Sequence, residues 1–178
     1  MDLFLITFAT FLIVGATVAM HYEILRYASF IAPHLTIQPR MRIVVIIIAA
    51  FIGHVLQITL YAIAYWAARF VPGAGGLEGG LEGDAVDYFY YSAATFTTLG
   101  VGDITPVGHL RIMSGVESLN GLILITWSAS FTYLAMERFW VDQPITRSRA
   151  SSTRSQGASP SPRQDPPPRK QRGQHPHE

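Results

Sequence analysis

Residues Asp84 to Pro106 read DAVDYFYYSAATFTTLGVGDITP. Asp84 followed by Asp87 marks a helix start, because carboxylates are favoured at the positive end of the helix dipole. Tyr88 to Thr97 is a run of aromatic and small residues that makes about 15 Å of helix, half the thickness of a membrane. Beyond it, in Thr97-Thr98-Leu99-Gly100-Val101-Gly102-Asp103, glycines alternate with residues that carry side chains. Alternating Gly lets the backbone switch between ordinary and left-handed dihedrals, so successive carbonyls can point toward one axis. Non-helical backbone at membrane depth is tolerated only where protein buries it or where it lines a wet cavity. The segment 88–106 therefore reads as a half-span helix followed by a re-entrant loop. A Gly-x-Gly-Asp turn alone is common and means little. This one follows a half-span helix and lies between two full spans.

Those spans are apolar runs. Ile43 to Phe70 reads IVVIIIAAFIGHVLQITLYAIAYWAARF, and Ile112 to Met136 is interrupted only by Glu117, Asn120 and a few hydroxyls. A third run, DLFLITFATFLIVGATVAM, follows Met1. Each reaches the roughly 20 residues that a spanning helix needs. A secretory signal peptide opens on a basic segment, whereas this chain has Asp2. The expected organisation is a first spanning helix over 1–20, a cytoplasmic loop over 21–42 and a second, outer helix over 43–70. A Gly-rich acidic loop follows over 71–87, then the helix and loop of 88–106, a third, inner helix over 111–140, and a basic tail over 143–178. The fold class is an all-α membrane protein with three spanning helices and one re-entrant helix.

Charge is segregated along the 178 residues. The chain is 49% hydrophobic and only 14% charged, and more than half of its 13 Lys and Arg lie between Pro144 and Glu178. Arg26, Arg40 and Arg42 face Glu23 alone in the 21–42 segment, whereas Glu78, Glu82, Asp84 and Asp87 occupy the 71–87 loop without a cation. The positive-inside rule then places 21–42 and the C-terminus in the cytoplasm and the N-terminus outside. The tail, rich in Pro and Ser, cannot bury enough apolar surface to offset its ordering entropy, so it reads as disordered. Its arginines give it a weak attraction to anionic lipid. Absence of cysteine excludes disulfides, thiolate metal sites and a Cys nucleophile. No His-Glu-x-x-His, phosphate-binding glycine loop or Ser nucleophile motif is present, so no enzyme activity and no cofactor are expected. A nucleic-acid partner is not expected either.

Over Thr98-Leu99-Gly100-Val101-Gly102-Asp103, with Tyr90-Tyr91-Ser92 before it and Pro106 beyond, the sequence resembles the potassium-channel pore-loop family. It is closest to small bacterial ion-channel subunits with one pore loop per chain. The resemblance extends over 43–140 and is thin over the first helix. It implies a pore helix over the half-span segment and a K⁺ selectivity filter lined by the backbone carbonyls of Thr98, Leu99, Gly100 and Val101 and the Thr98 hydroxyl. Carbonyls in that role replace the hydration shell of a permeant ion. One chain supplies one wall of such a ring, so the family implies a homotetramer in the lipid bilayer of the cell membrane. The family's pore loop enters from outside, which agrees with the topology reached from the cations. Tyr90, Tyr91 and Thr97 stand where the family supports its filter. Two positions depart from the pattern. Val101 replaces the usual Tyr or Phe, and Ala94 replaces a Glu that some members carry behind the filter. Both changes remove supports of the filter's width, so a weakly selective monovalent cation channel is the alternative within the same fold.

Other residues carry more than one reading. Glu117, an ionisable group inside a span, is a functional candidate by default and is expected to brace the pore helix. Gly121 falls at the family's hinge position but equally suits close packing. On that alignment Leu122, Ile125 and Ala129 line an apolar cavity. His54 and Gln57 share a helix face and suit interhelical hydrogen bonds, with a proton sensor at His54 as the sharper alternative. His21 and His34, thirteen apart, suggest a haem-binding redox protein as the different-class rival, and Pro33 breaks the helix this would need. No helix carries the arginine repeat of a voltage sensor.

Overall fold

Proline at the first turn and a carboxylate at the cap begin two of the helices. The computed structural model describes residues 2–141. The tail over 143–178, with its expected disorder and affinity for anionic lipid, lies outside the described residues. Helix α1 (Asp2–Ile31) ends in a 3₁₀ turn at Ala32–His34, and α2 (Pro39–Ala68) starts on Pro39. Strand β1 (Gly75–Gly79) leads to α3 (Ala85–Phe96), then β2 (Ile104–Gly108) and α4 (Leu110–Val141). Three stretches are long and apolar enough to cross a membrane: Leu3–His34, Met41–Ala68 and Leu110–Arg138.

The short helix begins as its sequence suggests. The Asp84 Oδ1 accepts hydrogen bonds from the amides of Val86 (2.9 Å) and Asp87 (3.0 Å), satisfying donors that an α-helix leaves unpaired at its first turn. Asp87 in turn accepts from the amides of Glu82 and Gly83, both at 2.7 Å. The acidic residues of this loop thus organise a helix entry.

Two expectations need correction. The loop expected over 21–42 is mostly helix, because α1 continues through His21 to Ile31 and only Leu35–Gln38 remain between the 3₁₀ turn and α2. Nothing before Pro33 opposes helix, and His21 is turned into the protein rather than toward a membrane surface. The chain is also not wholly α. Strands β1 and β2 pair antiparallel, with Gly75 opposite Gly108 and Gly79 opposite Ile104. Glycine permits this contact. A Cβ at Gly75 (φ +94°) would lie 2.0 Å from the Val107 carbonyl oxygen, and one at Gly79 (φ +119°) would lie 2.0 Å from that of Asp103. No alternation of apolar residues marks either strand, so sequence periodicity is silent here.

Polar groups face inward and large apolar groups outward. Thr10, Thr17, His21, Gln57, Ser92 and Glu117 are fully buried, whereas Phe4, Phe11, Phe30 and Phe51 are more than 60% exposed. That inversion suits helices surrounded by hydrocarbon, where interhelical hydrogen bonds and close packing replace a hydrophobic core. An apolar cluster remains around Tyr61, Tyr65, Phe96, Leu110 and Leu124, where α2, α3 and α4 meet.

An equally close backbone approach joins two helices at Gly121. A Cβ there would meet the Phe96 carbonyl oxygen at 2.0 Å, so the end of α3 rests directly on α4. Gly121 is therefore a packing glycine in this conformation. Gly121→Ala is expected to destabilise the protein by about 1–3 kcal/mol through overpacking. Gly115→Ala, with open space around the site, should lack that penalty. Thermal unfolding in detergent compares the two.

Candidate functional site: the segment between α3 and α4

The residues after α3 turn their amides back onto it. Thr98 donates to the Thr95 carbonyl (2.9 Å), and Leu99 and Gly100 both donate to that of Ala94 (2.9 and 3.2 Å). Thr97 caps the helix through its amide, and its hydroxyl donates to the Ala93 carbonyl at 2.7 Å. Orphan carbonyls at the α3 C-terminus are thereby satisfied. Thr98, Gly100 and Gly102 have φ of +58°, +57° and +88°, whereas Leu99 and Val101 between them do not enter the positive range. Handedness thus alternates residue by residue over 98–102. Thr98 is the one non-glycine residue in the left-handed region among the described residues. Such a residue costs about 1–3 kcal/mol and persists where its surroundings impose it. With the amides of 98–100 spent on α3, the carbonyls of this segment are free to face away from it. Leu99 and Val101 are 72% and 54% exposed in the single chain.

The far end of the segment is pinned. Asp103 accepts from the Ile104 amide through Oδ1 (3.0 Å), and its carbonyl accepts from Gly80 (3.1 Å). Tyr90 stands beside it. Desolvation first, then a hydrogen bond to Asp103 and the charge of its carboxylate, raises the Tyr90 phenol above its ordinary range. Tyr90 is thus an aromatic neighbour of Asp103. Tyr91 is buried and donates to the Ser114 hydroxyl at 2.8 Å. Ser118 donates to the Thr95 carbonyl at 3.0 Å. Between the segment and these helices lies a groove of about 320 Å³ lined by Tyr90, Tyr91, Ala94, Val101 and Ser114. Two small residues, Ala94 and Val101, border this space.

Glu117 joins three helices. Tyr65 of α2 donates to its Oε2, and its Oε1 lies 2.6 Å from the Ser92 hydroxyl of α3, as close as the Tyr65 contact. The Ser92 hydroxyl also reaches the Ile58 carbonyl at 2.9 Å. These contacts tie α4 to α2 and α3 at one carboxyl. Its donors Tyr65 and Ser92 were missed in the sequence, since only the fold brings residues 52 and 25 positions away to one carboxyl. Asn120, also missed, donates to Thr17 (2.8 Å) and Tyr61 (3.1 Å). Leu122, Ile125 and Ala129 share an exposed face of α4, away from α1 and α2. His54 and Gln57 make the interhelical bonds expected of them, with His21 and Ser128 as partners. His34 instead bonds to the Phe30 carbonyl at the end of its own helix, so the two histidines of the haem reading are not brought together. Among the described residues no group of three His, Cys, Asp or Glu is placed to hold a metal.

Glu117→Gln keeps an acceptor for Tyr65 and offers Ser92 a donor, leaving the Ser92 proton for Ile58. It is expected to unfold close to the wild type. Glu117→Ala strands the buried Tyr65 hydroxyl, whereas Ser92 keeps the Ile58 carbonyl as its acceptor, and is expected to lose about 1–3 kcal/mol. Thermal melts of both variants check this.

Comparison with known families places residues 41–138 in a family described as ion channel. No curated protein and no solved structure is significantly similar to the chain. The match covers more than half of the chain and takes in α2, α3, the alternating segment and α4, leaving α1 outside. With three helices able to cross a membrane and a loop inserted between the last two, the chain belongs to the ion-channel family, as a small membrane-embedded subunit.

Proposed function

We propose that four copies of this chain form a potassium channel, with Thr98, Leu99, Gly100 and Val101 of each copy as one wall of the filter. The observation that carries the reading is the alternation of backbone handedness over 98–102, with the amides folded back onto α3. Carbonyls freed in this way and directed to one axis replace the water around a dehydrating cation. On this reading α3 is the re-entrant pore helix, and its C-terminus at Thr97 directs the negative end of its dipole toward the cation pathway. Glu117 and Gly121 hold α3 against α4 from behind, while Tyr90 and the β1–β2 ribbon hold the outer end of the filter at Asp103. The N-terminus is outside and the C-terminus cytoplasmic, and Leu122, Ile125 and Ala129 face the cavity beneath the filter. The membrane is the cell membrane, and anionic lipid is the proposed contact of the tail. The chain acts as a passive pore, not as an enzyme.

A specific observation favours a second reading. The groove between Val101 and the tyrosines Tyr90 and Tyr91 is left unfilled by the short Val101 side chain, which suits a pore that conducts monovalent cations with little discrimination. Purified full-length protein in a planar bilayer, with K⁺ on one side and Na⁺ on the other, separates the two. A reversal potential near the K⁺ equilibrium value is expected for the selective channel. A value near zero with robust current establishes the weakly selective one. Absence of current from an assembled tetramer overturns both.

A further inference from the structure

Helix α1 lies outside the part of the chain that matches the family, yet it is bonded to α4, the helix that lines the proposed cavity. His21 of α1 and Gln57 are fully buried, and Ser128 of α4 is nearly so. Four contacts close a ring through them and His54. His54 Nδ1 is 3.1 Å from Gln57 Oε1, Gln57 Nε2 is 3.1 Å from His21 Nδ1, and His21 Nε2 is 3.2 Å from Ser128 Oγ. The same Ser128 Oγ is 3.0 Å from His54 Nε2, which returns the ring to its start. The two imidazoles stack with centroids 5.2 Å apart.

Counting protons fixes who donates. The second amide hydrogen of Gln57 is directed at the Thr17 carbonyl, at 3.5 Å, which orients the amide with Oε1 toward His54. A carbonyl oxygen only accepts, so His54 carries its proton on Nδ1, and its Nε2 accepts from the Ser128 hydroxyl. The Gln57 amide only donates, so His21 accepts on Nδ1 and carries its proton on Nε2, which donates to Ser128. Each of the four side chains then donates once and accepts once. The ring closes with both histidines neutral.

One further proton breaks it. Protonated His21 turns an N–H against the Gln57 amide. Protonated His54 points a second N–H at the Ser128 oxygen, so the Ser128 hydroxyl hydrogen must rotate out of the ring. Either way the new charge has no carboxylate to meet among the described residues. From α2 and α1 the titratable groups facing each imidazole are the other imidazole. The α4 side brings Ser128 and Trp127, and α3 brings Phe96. Tyr61 of α2 is engaged by Asn120, Glu117 of α4 by Tyr65 and Ser92, and Glu23 and Arg26 of α1 pair with each other on an exposed face.

We propose that this ring is a proton-releasable clamp. It ties the half of α4 beyond Gly121 to α1 and α2, and acid frees that half to move. The inference rests on the channel reading for its effect on current, but not for the opening of the ring itself. Ser128 is the positioning residue, two turns beyond Gly121, and α1 is thereby a working part of the gate.

The test uses full-length tetramer in planar bilayers with symmetric K⁺, stepped from pH 8 to pH 5, the range over which histidine changes charge. Open probability of the wild type is expected to change about tenfold, a usual coupling between two sites. Ser128→Ala, which opens the ring without a proton, is expected to gate at pH 8 as the wild type does at pH 5. A flat wild-type profile, or a Ser128→Ala channel that keeps the wild-type value at pH 8 and its pH dependence, overturns the clamp. A second readout is independent of current. Trp127 lies 5.4 Å from the His21 ring, and an imidazolium quenches indole emission. With Trp66 and Trp140 changed to Phe, emission is expected to fall on acidification and to stay constant in His21→Asn. If the tetramer carries no current at any pH, the channel reading fails and this titration alone decides the ring. Constant wild-type emission overturns it.

Discussion

A carboxyl within a membrane-spanning helix must find donors inside the protein, because hydrocarbon supplies none. Glu117 finds them at Tyr65 and Ser92, and much of the arrangement follows from that requirement. Holding Ser92 fixes the face that α3 turns to α4. With that face fixed, Phe96 ends over Gly121, where the absence of a Cβ lets the two backbones touch. The end of α3 then accepts the amides of Thr98, Leu99 and Gly100, and the next residues leave the helix with alternating handedness. A side chain hidden behind the loop thus sets the course of the backbone that leaves α3.

The opposite end of the loop is held by different means. The β1–β2 ribbon ties Asp103 and its neighbours to the glycine-rich segment before α3, and the Ala74 carbonyl receives the amides of His109 and Leu110 at the start of α4. Between the two anchors, the groove at Ala94 and Val101 is the least supported stretch. On the proposed channel reading, anchored ends and a thinly backed middle are the physical ground for weighing selectivity separately from conduction. Width control belongs to side chains, whereas ion coordination belongs to the backbone.

Much of this was legible in the residues. The three spans followed from length and apolarity, α3 from the paired aspartates, and the unusual loop from the spacing of its glycines. The reach of α1 was not, because His21, Glu23 and Arg26 look like a loop after an apolar run, although each is compatible with helix. The ribbon was not, because its strands are glycine and mixed residues without alternation. For Glu117 the need for a partner was legible and the partner was not. Several hydroxyls and tyrosines lie on α2 and α3, and only their rotation about the helix axes selects Tyr65 and Ser92.

By itself, then, the sequence determined which segments can cross a membrane, where a half-span helix begins, and which backbone positions can turn left-handed. Those are local consequences of transfer free energy, capping and the freedom of glycine. Tertiary structure alone decided which polar side chains meet. His21, His54, Gln57 and Ser128 come from three helices and are up to 107 positions apart. In uniformly apolar runs hydrophobic periodicity cannot say which face points inward. Their closure into one ring therefore depends on how the helices rotate and pack against one another.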